Sequence, residues 1–159
     1  MKVVSDTSPL CHAIWIGEAE ILPALFGTVV IPTGVAAELA SGGAPQPVRS
    51  WITEPPGWLE IRTVHVEETP PALARLHRGE REALLLARQS NARLVLLDER
   101  AARRAAEALG LKVMGLLGVL DQAARRGWLD FADALDRLVA TGFYLTPDLI
   151  ETLLKRHQE

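Results

Sequence analysis

Short runs of aliphatic and β-branched residues without polar alternation constrain this chain more than any other feature. The run Arg93-Leu94-Val95-Leu96-Leu97 is the clearest of them, apolar on both faces beyond its first residue and stopped by Asp98. A strand with no polar face must be covered from both sides, which points to a mostly parallel sheet between helical layers. Lys2-Val3-Val4-Ser5 is a second such run, stopped by Asp6-Thr7-Ser8-Pro9, and Thr28-Val29-Val30-Ile31 is a third, ended by Pro32. Trp58 to Val64 alternates loosely and fits an edge strand, while Leu111 to Met114 is a short strand closed by Gly115.

Helical stretches fill the intervals. Leu10 to Ile16 follows Pro9, with Thr7 or Ser8 as cap, and Glu18 to Phe26 is broken or begun near Pro23. Thr33 to Ala40 is stopped by Ser41-Gly42-Gly43. The next segment holds Pro45, Pro47, Pro55 and Pro56 and leaves room for one turn around Val48 to Ile52. Gly79 to Gln89 is the strongest helix by composition, and Ala101 to Leu109 is closed by Gly110. Leu116 to Arg126, Asp130 to Ala140 and a last helix opened by Thr146-Pro147 complete the chain. The expected fold is α/β, a three-layer α/β/α sandwich around a mostly parallel sheet. One domain is expected over 1–159, with 128–159 a C-terminal helical extension packed on it. At 159 residues it buries about 70% of its unfolded surface.

Composition excludes several classes. A single cysteine, Cys11, rules out a disulfide framework or an all-cysteine metal site and suits a reducing, cytoplasmic setting. No apolar run approaches the roughly 20 residues of a membrane span, and MKVVSDTS turns polar too early for a signal peptide. The net charge of −3 gives no overall pull toward nucleic acid, so such a partner requires a local basic patch or metal ions.

The acids occupy informative places. In an open α/β sheet, ligands bind outside the carboxyl ends of the strands. Asp6 and Asp98 each follow a strand directly, Glu38 lies on the helix after the Thr28–Ile31 strand, and Glu80 opens the helix before the Asp98 strand. Four carboxylates in one crevice would raise one another's pKa, and a divalent cation removes the conflict. Carboxylate oxygens with water are the ligand set of Mg²⁺ or Mn²⁺, ions that activate water and neutralise phosphodiester charge. Taken singly, each acid also has a structural reading, as a turn residue, a helix cap or a solvated surface group.

The strings Val4-Ser5-Asp6-Thr7-Ser8-Pro9-Leu10, Ile31-Pro32 with Val35-Ala36-Ala37-Glu38-Leu39, Gly79-Glu80-Arg81-Glu82-Ala83-Leu84-Leu85-Leu86-Ala87 and Leu96-Leu97-Asp98-Glu99-Arg100 resemble the PIN-domain nucleases. Together with the run from Leu109 to Leu120, they resemble most the branch related to toxin ribonucleases of toxin–antitoxin modules. The resemblance implies a Mg²⁺- or Mn²⁺-dependent endoribonuclease acting on single-stranded or structured RNA. Asp6, Glu38, Glu80 and Asp98 match the family's acidic positions as catalytic residues and metal ligands, with Asp6 and Asp98 expected as the principal ligands and Glu38 and Glu80 completing the site directly or through water. Residues two apart on a helix point about 200° apart, so only one of Glu80 and Glu82 can face the crevice. Glu80 keeps Asp98 in register. Glu82 and Glu99 remain outer acids, and Thr7 or Ser8 would orient Asp6 or bond a water in the site. The resemblance also implies a small antitoxin partner and a homodimer.

Arg100, Arg103 and Arg104 share a helical face beyond Asp98 and could hold RNA phosphates, or instead pair with Glu99 and Glu107. His77, Arg78 and Arg81 form a second basic group. His12, His65, His77 and His157 show no zinc spacing, Cys11 reads as a structural thiol, and His77 reads as a surface residue. Trp15, Trp51, Trp58 and Trp128 are scattered, with Trp51 the one candidate for base stacking. Phe143, Tyr144, Leu145, Leu149, Ile150, Leu153 and Leu154 either form a dimer surface or complete the core. Two other functions compete: a catalytically inactive protein whose crevice binds a cation or a basic partner, and a phosphatase- or receiver-like domain, for which Lys112 and Lys155 are poorly placed.

Overall fold

A computed structural model describes residues 2–65 and 69–157. Its centre is a five-stranded sheet of β1 (Val3–Ser5), β2 (Val29–Pro32), β3 (Leu59–Arg62), β4 (Leu94–Leu96) and β5 (Val113–Met114). The order is β3-β2-β1-β4-β5 with every pairing parallel, as the unalternating apolar runs required. β3 forms one edge. β1 lies between β2 and β4, in register Val4↔Val30 and Val4↔Val95.

Alternate strand residues feed two separate cores, because successive side chains point to opposite faces. Val3, Val29, Ile31, Leu59 and Leu96 pack with α1 (Thr7–Trp15), α2 (Ile21–Phe26), α4 (Gln46–Thr53), α7 (Leu116–Arg125), α8 (Phe131–Ala140) and α9 (Pro147–Arg156). On the other face Val4, Val30 and Val95 meet α5 (Arg78–Gln89), α6 (Arg100–Ala108) and the 3₁₀ turn Pro71–Leu73. The result is a three-layer α/β/α arrangement. α3 (Thr33–Ala40) packs against both α4 and α5. Among the described residues, no helix is long and apolar enough to cross a membrane.

Several local expectations change. The segment around Val48 is a two-turn helix, since Pro47 falls in its first turn, where no backbone donor is needed. The residue capping α1 is Asp6, not Thr7 or Ser8, and its side chain makes no capping hydrogen bond. In the C-terminal helices Phe131, Ala134, Leu135, Leu138 and Leu153 enter the main core, whereas Tyr144 and Leu149 stay exposed. Trp51 is half-buried and tilts against Trp58, ring centres 5.6 Å apart, beside the amino end of β3.

Candidate active site

The chain runs β1, β2, β3 outward in one direction and then returns to place β4 on the other flank of β1. The carboxyl ends of β1 and β4 therefore flank the point where the strand order reverses, where open α/β sheets bind ligands. The Asp6 amide closes that junction by donating to the Leu96 carbonyl at 2.9 Å. A crevice of about 980 Å³ opens there, lined by Asp6, Glu38, Glu80 and Asp98 together with Thr7, Ser8, His77 and Glu99.

Each acid arrives by a different route. Asp6 ends the central strand and is 3% exposed; its Oδ1 is buried without a hydrogen-bond partner. Burial pushes its carboxyl up to about 7, against the pull of the Thr7 amide and His77, with Glu80 and Glu38 adding repulsion. Glu80 lies on the apolar stripe of α5 with Ala83, Leu84 and Ala87, at the three- and four-residue spacing of a buried helix face. Burial raises its pKa too, opposed by His77 and reinforced by Glu99 and Glu38.

Asp98 sits beyond β4. Its Oδ1 accepts from the Leu116 amide (2.7 Å), where α7 begins, and its Oδ2 accepts from Ser8 Oγ (2.9 Å). Burial raises its pKa, while the Leu116 amide, Ser8, His12 and Arg103 hold the rise back. Glu38 reaches in from α3, with Oε2 accepting from Thr7 Oγ1 at 2.5 Å. Its carboxylate lies directly against the α-carbon of Gly79, so any side chain there would collide with it. The hydroxyls of Thr7 and Ser8 thus hold the two flanking acids, Glu38 and Asp98, while the Thr7 amide bonds the Asp6 carboxyl.

Glu82 belongs elsewhere. Its Oε1 accepts from the Gly34 amide at 2.9 Å and its Oε2 from Arg78 Nε at 2.7 Å, so it serves the N-terminus of α3 and does not line the crevice. A β-carbon on Gly34 would stand 2.8 Å from Glu82 Oε1. The two helices therefore interlock through paired glycines: α3 yields at Gly34 to a carboxylate from α5, and α5 yields at Gly79 to one from α3. That exchange fixes Glu38 beside Glu80.

His77 is exposed, as expected from the sequence, and its Nδ1 also caps α5 by accepting from the Glu80 amide, which sets the ring between two acids. Its Nε2 is 3.2 Å from Glu80 Oε1 and its Nδ1 is 3.4 Å from Glu38 Oε1. The three-residue spacing to Glu80 was the available signal. Arg100 and Arg103 line the crevice, whereas Arg104 faces a shallow groove beside Glu107. Among the described residues, none of the three is paired in a salt bridge. Cys11 is half-buried in the same crevice, and burial pushes its thiol up, away from nucleophilic use.

Among the described residues, no group of three or more His, Cys, Asp or Glu side chains stands ready-made around a metal ion. Mg²⁺ does not need such a group, since it is held through one or two carboxylates and otherwise by water. The orphaned Oδ1 of Asp6 and the buried Glu80 carboxylate beside it fit that mode of binding.

The sequence profile of the PIN domain matches residues 2–159, and the chain belongs to the PIN-domain family. That membership supports a nuclease-type function in general terms, PIN domains being metal-dependent nucleases as a rule. Comparison with curated proteins and with solved structures gave no match.

Proposed function

We propose that this protein is an endoribonuclease that hydrolyses phosphodiester bonds in single-stranded or structured RNA with Mg²⁺ or Mn²⁺. The observation that carries this reading is the Asp6 carboxylate, buried at the strand-order reversal with one oxygen unpartnered and Glu80 and Glu38 close enough to repel it. Asp6 and Glu80 would hold the ion, with Glu38 and Asp98 completing its surroundings directly or through water. When bound, the ion supplies Lewis-acid chemistry, offsetting phosphodiester charge and raising the acidity of water.

The remaining residues prepare that site. Ser8 and the Leu116 amide fix Asp98, and Thr7 fixes Glu38, so neither carboxylate has to be ordered when substrate arrives. Arg100 and Arg103 supply the local positive charge that a protein of net charge −3 needs to hold RNA phosphates. The likeness to toxin ribonucleases supports a role as the toxin of a toxin–antitoxin module, which a small DNA-binding protein encoded in the neighbouring reading frame would test.

The experiment is cleavage of RNA by purified protein in Mg²⁺ and in Mn²⁺, beside Asp6→Asn. Wild-type cleavage with an inactive variant supports the reading, and equal activity of the two would place the chemistry elsewhere or in a contaminant. A second reading, a non-catalytic protein whose crevice binds a cation or a basic partner, is favoured by one observation. Both oxygens of Asp98 and Oε2 of Glu38 already accept hydrogen bonds within the protein. Mn²⁺ binding without RNA cleavage would select that reading.

A further inference from the structure

Metal and phosphate chemistry account for the acids and arginines of the crevice and leave its apolar lining unexplained. Besides the acids and arginines it is lined by Met114, Leu117, Phe143, Tyr144, Leu145 and Leu149. Water-filled polar sites do not need an apolar flank, and such a flank costs free energy while exposed. Tyr144 is 84% exposed, about twice the exposure of Trp128 or Trp15, the next most exposed aromatic side chains. Its loop is nevertheless braced. Phe143 packs edge-on against His12, ring centres 5.0 Å apart, and Leu145 packs against the main core. The His12 ring is held in turn by the Ser8 carbonyl at 2.9 Å, and Ser8 also holds Asp98. A continuous chain of contacts, Asp98 to Ser8 to His12 to Phe143, ties the aromatic loop to an acid of the site.

We infer that this apolar lining is a nucleobase subsite, in which Tyr144 stacks on the base beside the phosphate held at the acids. The inference rests on the nuclease reading for the identity of the phosphate. A base attached to a phosphate in the crevice comes within reach of its lining, where Tyr144 is the exposed aromatic ring. Aromatic side chains bind bases by stacking because every base presents a π-face. Bases within a duplex have both faces covered by neighbours, so a subsite of this kind accepts unpaired nucleotides. The subsite therefore supplies selection for single strands without reading sequence.

The test uses a fluorescent single-stranded oligoribonucleotide of about ten nucleotides, within the span of common single-strand binding sites. Binding is measured to Asp6→Asn protein, which the nuclease reading makes inert, alone and combined with Tyr144→Ala or Tyr144→Phe. Tyr144→Ala is expected to weaken binding roughly five- to hundredfold, the equivalent of one lost base stack, and Tyr144→Phe to retain it. An abasic strand of equal length is expected to bind all three proteins alike. Equal binding of the oligoribonucleotide with and without Tyr144, no binding by any of the proteins, or an equal loss for the abasic strand would overturn the subsite. So would a change in oligomeric state caused by Tyr144→Ala, which would assign the exposed ring to a protein contact. The nuclease reading fails separately, if wild-type protein leaves the same strand intact in Mn²⁺ while the dependence on Tyr144 persists.

Discussion

Removing the charge of Asp6 makes the metal-free protein more stable, and the structure sets the size of the gain. Asp6 is 3% exposed with an unpartnered oxygen, and burial pushes its carboxyl from 3.8 to about 7. A carboxyl that holds its proton more tightly when folded than when unfolded favours the folded state in acid. That contribution is complete below about pH 4 and is lost as pH rises through about 7. At 1.36 kcal/mol per unit, a shift of about three units places about 4 kcal/mol against the ionised form. Asparagine keeps the shape and drops the charge, but leaves its own amide unpartnered at a cost of about 1–3 kcal/mol. Asp6→Asn is therefore expected to gain roughly 2 kcal/mol near pH 8 in EDTA, a Tm rise of about 4–8 °C for a chain of this size. Near pH 4 the order reverses, with the wild type the more stable by about 1–3 kcal/mol, because its carboxyl is then neutral while the asparagine amide stays unpartnered. Saturating Mn²⁺ near pH 8 narrows the gap by binding only the wild type. Urea denaturation of both proteins under the three conditions measures this. Equal stability near pH 8 in EDTA, or a gain undiminished near pH 4, would refute the reasoning.

Three further outcomes follow from the crevice and the interlocked helices. Glu80→Gln abolishes RNA cleavage with stability unchanged or raised, whereas Glu82→Ala costs about 0.5–2 kcal/mol by uncapping α3 and leaves most cleavage; the two losses appearing the other way round would reverse the assignment. Gly79→Ala displaces the Glu38 carboxylate and lowers kcat/KM, while the added methyl costs about 1–3 kcal/mol of overpacking, part of it returned by better helix propensity; unchanged kcat/KM would show that Glu38 has no part in the reaction. Arg100→Ala weakens RNA binding and flattens its dependence on salt by about 0.7 in logarithmic slope, the share of one phosphate contact to a single strand; an unchanged slope would remove Arg100 from the interface.

The sheet was legible in the sequence because strands buried on both faces carry their own signature. Leu94-Val95-Leu96-Leu97 followed by Asp98, and Val3-Val4-Ser5 followed by Asp6, give strand, end and acid at once. The meeting of the four acids in one crevice followed from strand ends that share an edge of a parallel sheet. The choice between Glu80 and Glu82 was legible in principle from Ala83, Leu84 and Ala87, whose spacing places Glu80 on the buried stripe. What the sequence hid is non-local. Thr7 meets Glu38 across 31 residues and Ser8 meets Asp98 across 90, contacts that no local pattern encodes. The aromatic loop reaches the crevice only because α8 and α9 fold back over α1 and α7, which helical periodicity alone does not dictate. His77 is exposed, as the sequence implies, and what the sequence hid is its place beside Glu38, which lies on another helix.

Diffraction from crystals soaked in Mn²⁺, read through the anomalous signal of the ion, addresses most directly whether the buried carboxylates exist to hold a cation. A peak in contact with the free oxygen of Asp6 and with Glu80 is the predicted result. Crystals in millimolar Mn²⁺ that show no peak at those two side chains, with the Asp6 oxygen still unpartnered, would contradict it.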